Sequence, residues 1–177
     1  MRKAISVSAC VLGLVLIGLS GTSPRPAKIE VVSTFEKRCS SCHGKEGSLF
    51  EKEFEKKYKT ERELTEMVES MPGAIGMPSE AIAPMVAYMR AISRGEPYLV
   101  WTRESQGALE GEVAPQGARI QARAGKTNLK VERSGTNRWR IRLPQNVKPA
   151  DVEFTLSHNA RTVRLRLKDS PYTHAKP

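Results

Sequence analysis

The chain has 177 residues, with 29 Lys and Arg against 19 Asp and Glu, a net charge of +10 and a pI near 9.8. It holds three Cys and three His, with no second Cys or His pair close to the first, which excludes an ordinary four-ligand structural zinc site. No internal repeat and no low-complexity tract is present, so solenoid and disordered-tract architectures are excluded.

Residues 1–27 begin with Arg2 and Lys3, continue with an apolar stretch over residues 4–19, and end in a small, proline-containing segment. This is the layout of a secretory signal. The apolar stretch is short of the ~20 residues a spanning helix wants. The nearest approaches to a cleavage site are Gly18-Leu19-Ser20 and Ser20-Gly21-Thr22, so a cleaved signal and a retained membrane anchor are both open readings. Cys10 sits too early for a lipoprotein box and reads as one more small apolar residue. The positive end stays inside, which places the rest of the chain in the periplasm or another extracytoplasmic space.

The period of Val31, Val32, Phe35, Cys39 and Cys42 predicts a first helix over residues 30–43, broken by Gly44 and Gly47. It ends in Cys39-Ser40-Ser41-Cys42-His43. A Cys-x-x-Cys-His run is the attachment site of c-type haem. Residues three apart on a helix share a face, so both sulfurs can reach the two vinyl groups on one edge of a porphyrin. His43 then stands in position to be the proximal iron ligand. A thioredoxin-like dithiol would want a βαβ setting, whereas the flanks here read as helical and charged.

Further along, Phe50, Phe54 and Tyr58 recur at four-residue steps, and their apolar faces would cover the cofactor edge or pack within a short helix. Thr60 with Glu63 makes a capping box, predicting a helix from residue 61 to about 70. The Met71-Pro72 to Met77-Pro78 segment follows. A last helix carries Ile82, Met85, Val86, Met89 and Ile92 at helical spacing, with Ser79 as its N-cap and an irregular start at Pro84. Gly95 and Pro97 stop it, which places a domain boundary at residues 96 and 97.

Residues 28–94 resemble a small bacterial class I c-type cytochrome, through the haem motif, the Met-Pro loop and the Val86-Ala87-Tyr88 segment of the closing helix. The resemblance implies an all-α domain over residues 28–96 and one covalently attached haem c, fixed outside the cytoplasm through Cys39 and Cys42. It also implies iron held by His43 on one side and a loop methionine on the other. Met71 stands eleven residues before Ile82 and Met77 only five, so Met71 is the favoured distal ligand and Met77 the alternative. Met67, Met85 and Met89 sit at core spacing.

Residues 97–177 alternate as strands, about seven of them, ending in the period-two run Val163-Arg164-Leu165-Arg166-Leu167. The expected fold class is therefore two domains, an all-α cytochrome c domain followed by an all-β sandwich, Ig-like or prealbumin-like. The second half holds 15 Lys and Arg against 7 Asp and Glu, while residues 28–96 hold 11 against 12. That excess points to an acidic partner surface. Trp139 between Arg138 and Arg140 offers the aromatic interleaving of a nucleic-acid patch, but export argues against such a partner. His158 and His174 read as surface residues, with His158 a minor alternative for the distal position, and the second half contains no catalytic set.

The function expected from these features is single-electron transfer between redox partner proteins, with the β half docking or tethering the carrier. The expected protein is thus an electron carrier rather than an enzyme. Two alternatives stay open: a subunit of a membrane or periplasmic oxidoreductase complex, in which residues 4–19 give membrane association, and a haem-based gas sensor.

Overall fold

A computed structural model describes residues 30–105 and 107–166. The signal-like segment with Cys10, and the end of the chain with Leu167 and His174, lie outside the described residues. Four short α-helices come first: α1 (Val31–Arg38), α2 (Ser40–His43), α3 (Glu61–Ser70) and α4 (Ser79–Arg94). Eight strands follow: β1 (Tyr98–Ser105), β2 (Ala108–Ala114), β3 (Arg119–Ala124), β4 (Thr127–Leu129), β5 (Val131–Ser134), β6 (Arg138–Arg142), β7 (Val152–His158) and β8 (Arg161–Arg166). They form two antiparallel sheets, in the orders β1-β2-β6-β5 and β4-β3-β7-β8.

The helix boundaries follow local chemistry. Thr60 caps α3, its hydroxyl accepting the Glu63 N–H at 3.1 Å, while the Glu63 carboxylate accepts the Lys59 N–H at 2.7 Å. Gly95 ends α4 in the left-handed region at φ 62°, where the N–H groups of Gly95 and Glu96 close back on Ile92 and Ala91. The first helix is not continuous to residue 43, because Cys39 (φ −118°, ψ −30°) separates α1 from α2. The Cys-Ser-Ser-Cys run has modest helix propensity, and the Ser40 hydroxyl bonds back to the Glu36 carbonyl at 2.6 Å, a contact that bends helices. Conversely, α4 runs unbroken through Pro84, and Pro78 rather than Ser79 occupies its N-cap position. The carbonyl that Pro84 leaves without an intrahelical donor belongs to Glu80, which is solvent-exposed in the first turn, so the loss costs little.

The expected fold class is not what the chain forms. Instead of an all-α domain followed by an all-β sandwich, it is a mixed fold in which helices and sheets share interior surface. The core of the helices includes Val31, Phe35, Leu64, Met85 and Tyr88, and it is completed by Tyr98, Val100 and Ala114 from β1 and β2. The alternate residues Leu99, Trp101 and Val113 join a second core with Trp139 and Phe154, whose rings lie 4.9 Å apart across the two sheets. The β1-β2 end of the first sheet is therefore a middle layer, with helices on one face and the second sheet on the other. The physical reason is the four-residue apolar run Tyr98-Leu99-Val100-Trp101: all four are buried, so both faces of β1 must be covered.

Polar ties cross the same junction. Glu112 of β2, opposite Val100, is 1% exposed and accepts the N–H of Val32 at 2.8 Å and of Ser33 at 3.1 Å, together with the Ser33 hydroxyl. Glu30, at the N-cap position of α1, makes no side-chain cap, so a strand carboxylate eighty residues away caps this helix. The Tyr98 hydroxyl donates to the Pro84 carbonyl at 3.0 Å, and the Gln116 N–H donates to Glu46 at 2.6 Å. Among the described residues, no helix is long and apolar enough to cross a membrane.

Candidate functional site

The end of α1, the short α2, the loop from Met71 to Met77 and the inner face of α4 converge on one narrow, nearly closed apolar cleft of about 10 Å³. Phe35, Cys39 and His43 line it from one side. Met71 and Met77 line it from the loop, and Met85 and Met89 from α4. Cys39 comes into position because its N–H closes the last turn of α1 on Phe35 at 2.8 Å. His43 follows one turn on, its N–H bonded to the Cys39 carbonyl at 3.0 Å. The imidazole stacks on Phe50 with ring centres 4.3 Å apart, and Phe50 stacks in turn on Phe54 at 4.6 Å.

The loop is held against the motif. Its turns close by Ala74 N–H to Met71 carbonyl and Met77 N–H to Ala74 carbonyl, both 2.9 Å. Arg38 reaches across to donate to the Ile75 carbonyl at 2.7 Å. Gly73 lies so close that a Cβ there would stand 2.9 Å from the Cys39 sulfur and 3.0 Å from the Arg38 carbonyl oxygen. Only a residue without a side chain lets the loop approach Cys39 this closely.

Of the residues expected from sequence to hold a cofactor, Cys39, His43, Met71 and Met77 therefore share one cleft, whereas Cys42 is exposed. Both loop methionines reach the cleft, so chain length does not separate them here. Met67 packs against the helical core without lining the cleft, and His158 lies far off at the end of β7, beside Gly117. The wall formed by Met85 and Met89, the ring stack beneath His43 and the close approach of Gly73 escaped the sequence reading. The first had a visible signal, since both methionines sit one turn apart on the apolar face of α4.

The chemistry of the cleft is soft: thioether, thiol and imidazole among hydrocarbon. Burial pushes the Cys39 thiol above its ordinary range, with Arg38 opposing and Cys42 adding to the rise. This is the reverse of the depressed thiol that a dithiol redox catalyst needs. Among the described residues, no three His, Cys, Asp or Glu side chains gather into a metal-holding group.

Comparison with known proteins adds no family. No family model matches the chain, and no curated protein matches it. The resemblance to class I c-type cytochromes is accordingly not upheld, because no family match supports it and the helices belong to a mixed helix-and-sheet fold instead of an all-α domain. Any functional reading has to rest on the motif and the cleft themselves.

Proposed function

We propose that the chain carries one haem, attached covalently through Cys39 and Cys42, and works as an exported one-electron carrier. The observation that carries this reading is that Cys39 and His43 of the Cys-x-x-Cys-His motif line the same apolar cleft as Met71 and Met77. The residues fit the group by donor type: two thiols for thioether links, an imidazole for one axial position and a thioether sulfur for the other. Met71 would hold the iron together with His43, and Met77 is the alternative. When bound, the haem supplies a reversible ferrous–ferric couple.

The protein's own residues set the conditions for that couple. Phe50, stacked on His43, restricts rotation of the imidazole. The Arg38 bond to Ile75 fixes the loop that presents Met71. Met85, Met89, Val68 and Phe35 exclude water from the cleft wall, and a dry, thioether-bearing site favours the reduced state relative to a bis-histidine one. With His43 and a loop methionine both available to hold the iron, a bound haem would have no site left for a substrate, which would set the carrier apart from a gas sensor.

Potentiometric titration of the exported protein, followed by its visible absorption, is expected to fit a single one-electron curve. Carbon monoxide added to the reduced protein is expected to leave the spectrum unchanged over minutes. A rapid carbon monoxide shift would replace the carrier with the sensor. The identity of the electron donor and acceptor enters only as chemistry: an acidic protein surface fits the excess of Lys and Arg in residues 97–177.

A further inference from the structure

Arginines on both sheets enter ion pairs. On the β1-β2-β6-β5 sheet, Arg138 pairs with Glu30 at 2.8 Å and Arg140 with Glu110 at 3.4 Å. The outer face of the β4-β3-β7-β8 sheet sets its arginines in a regular polar grid. Register places Arg123, Glu153 and Arg166 in one row across it, Gln121, Thr155 and Arg164 in the next, and Arg119, Ser157 and Thr162 in the third. The alternate residues Ala122, Phe154 and Leu156 point into the shared core, so this outward grid is entirely polar. Glu153 is its one acidic group. It takes two hydrogen bonds from Arg123, at 2.6 and 3.1 Å, and one from Arg166 at 3.3 Å, which orders both guanidinium groups. Among the described residues, Arg119 and Arg164 form no ion pair.

A groove of about 550 Å³ runs over this grid, within the ~300–1,000 Å³ range of small-ligand sites. Arg123 and Arg164 stand in it with Gln121, Asn128 and Thr155, the Glu153 carboxylate also lines it but is engaged by Arg123 and Arg166, and Leu129 and Val131 form a wall where the chain passes from β4 to β5. Every cation is arginine, the residue that grips planar carboxylates with paired N–H donors. The amides and the hydroxyl between them suit neutral hydroxyl groups. The walled shape does not suit a flat bilayer. The groove has no aromatic platform for stacking bases and no aromatic or methionine anchor of the kind that forms a protein–protein hot spot.

We propose that this groove binds an acidic polysaccharide, its carboxylates held by Arg164 and Arg123 within the groove and by Arg119 where the polymer runs on along the same sheet face, and its hydroxyls by Gln121, Asn128 and Thr155. The face lies on the opposite side of the fold from the helices, beyond the middle layer of β1 and β2, so a polymer held there leaves the methionine-lined cleft uncovered. The inference is independent of the haem reading, since it uses no residue of that cleft.

The test is equilibrium binding of the full exported chain to alginate, a uronate polymer, at matched ionic strength against polyglutamate, phosphatidylglycerol vesicles and a single-stranded oligonucleotide. Alginate is expected to bind tightest. The pair Arg119→Gln with Arg164→Gln is expected to weaken it about tenfold or more. The control pair Arg103→Gln with Arg142→Gln removes the same charge from exposed positions on the other sheet and is expected to leave alginate binding within twofold, about the scatter of such measurements. Among the described residues neither Arg119 nor Arg164 is in an ion pair, so unchanged melting of that variant separates lost binding from lost folding. Equal or tighter binding of any competitor, no binding of alginate, or an equal loss in the control pair would overturn the proposal.

Discussion

Replacing Glu112 by alanine is expected to destabilise the protein by about 3–4 kcal/mol, measured by denaturant unfolding. Three donors lose their acceptor at once: the N–H groups of Val32 and Ser33 and the Ser33 hydroxyl. A buried donor left without a partner costs about 1–3 kcal/mol, and the truncation adds a small cavity under the start of α1. The effect should reach the candidate site, because Glu112 seats α1 on the sheet and α1 carries Cys39 at its end. Its contribution also has a predictable pH profile. Burial pushes the Glu112 carboxyl above the usual glutamate range, bonds from Ser33 and Val32 oppose the rise, and Glu30 adds to it. A carboxyl whose folded pKa is raised binds protons more strongly in the folded chain, so stability falls as pH climbs from the unfolded to the folded value. Unfolding free energies of the wild type, referred to the non-titrating Glu112→Gln variant, should therefore decline with pH across that window. A rise instead would mean that the three donors outweigh desolvation.

The second large effect is expected at Met71. Met71→Ala in the haem-loaded protein should abolish the weak far-red sulfur-to-iron charge-transfer band, while Met77→Ala should retain it. Because both side chains line the cleft, the opposite pattern would move the ligand to Met77. Retention of the band in both variants would remove the loop from the axial position altogether. Both changes fall at half-buried positions outside helices, so folding should survive with a loss of about 1–2 kcal/mol.

Local rules carried much of the fold. The capping box at Thr60, the stop at Gly95 and the alternating strands are short-range patterns whose energies are set within a few residues. The layering is not of that kind. It depends on which face of β1 meets which neighbour, and its trace in the sequence is the unbroken apolar run from Tyr98 to Trp101, which contrasts with the alternation of Arg138 to Arg142. The Glu112 cap is long-range as well. Its trace is a carboxylate on an otherwise buried strand and a first helix that begins without a capping side chain. In the candidate site, Cys39, His43 and the two loop methionines were legible because their chemistry is tied to a motif and a spacing. Gly73 was not, since a glycine's reason for being there is the atom opposite it, here the Cys39 sulfur.

The central claim is tested most directly by the intact mass of the chain produced in a host able to attach haem to exported proteins. The expected product carries the added mass of one haem, lost on Cys39→Ser with Cys42→Ser. A chain recovered at its polypeptide mass alone, folded but without the macrocycle, would contradict the proposed carrier.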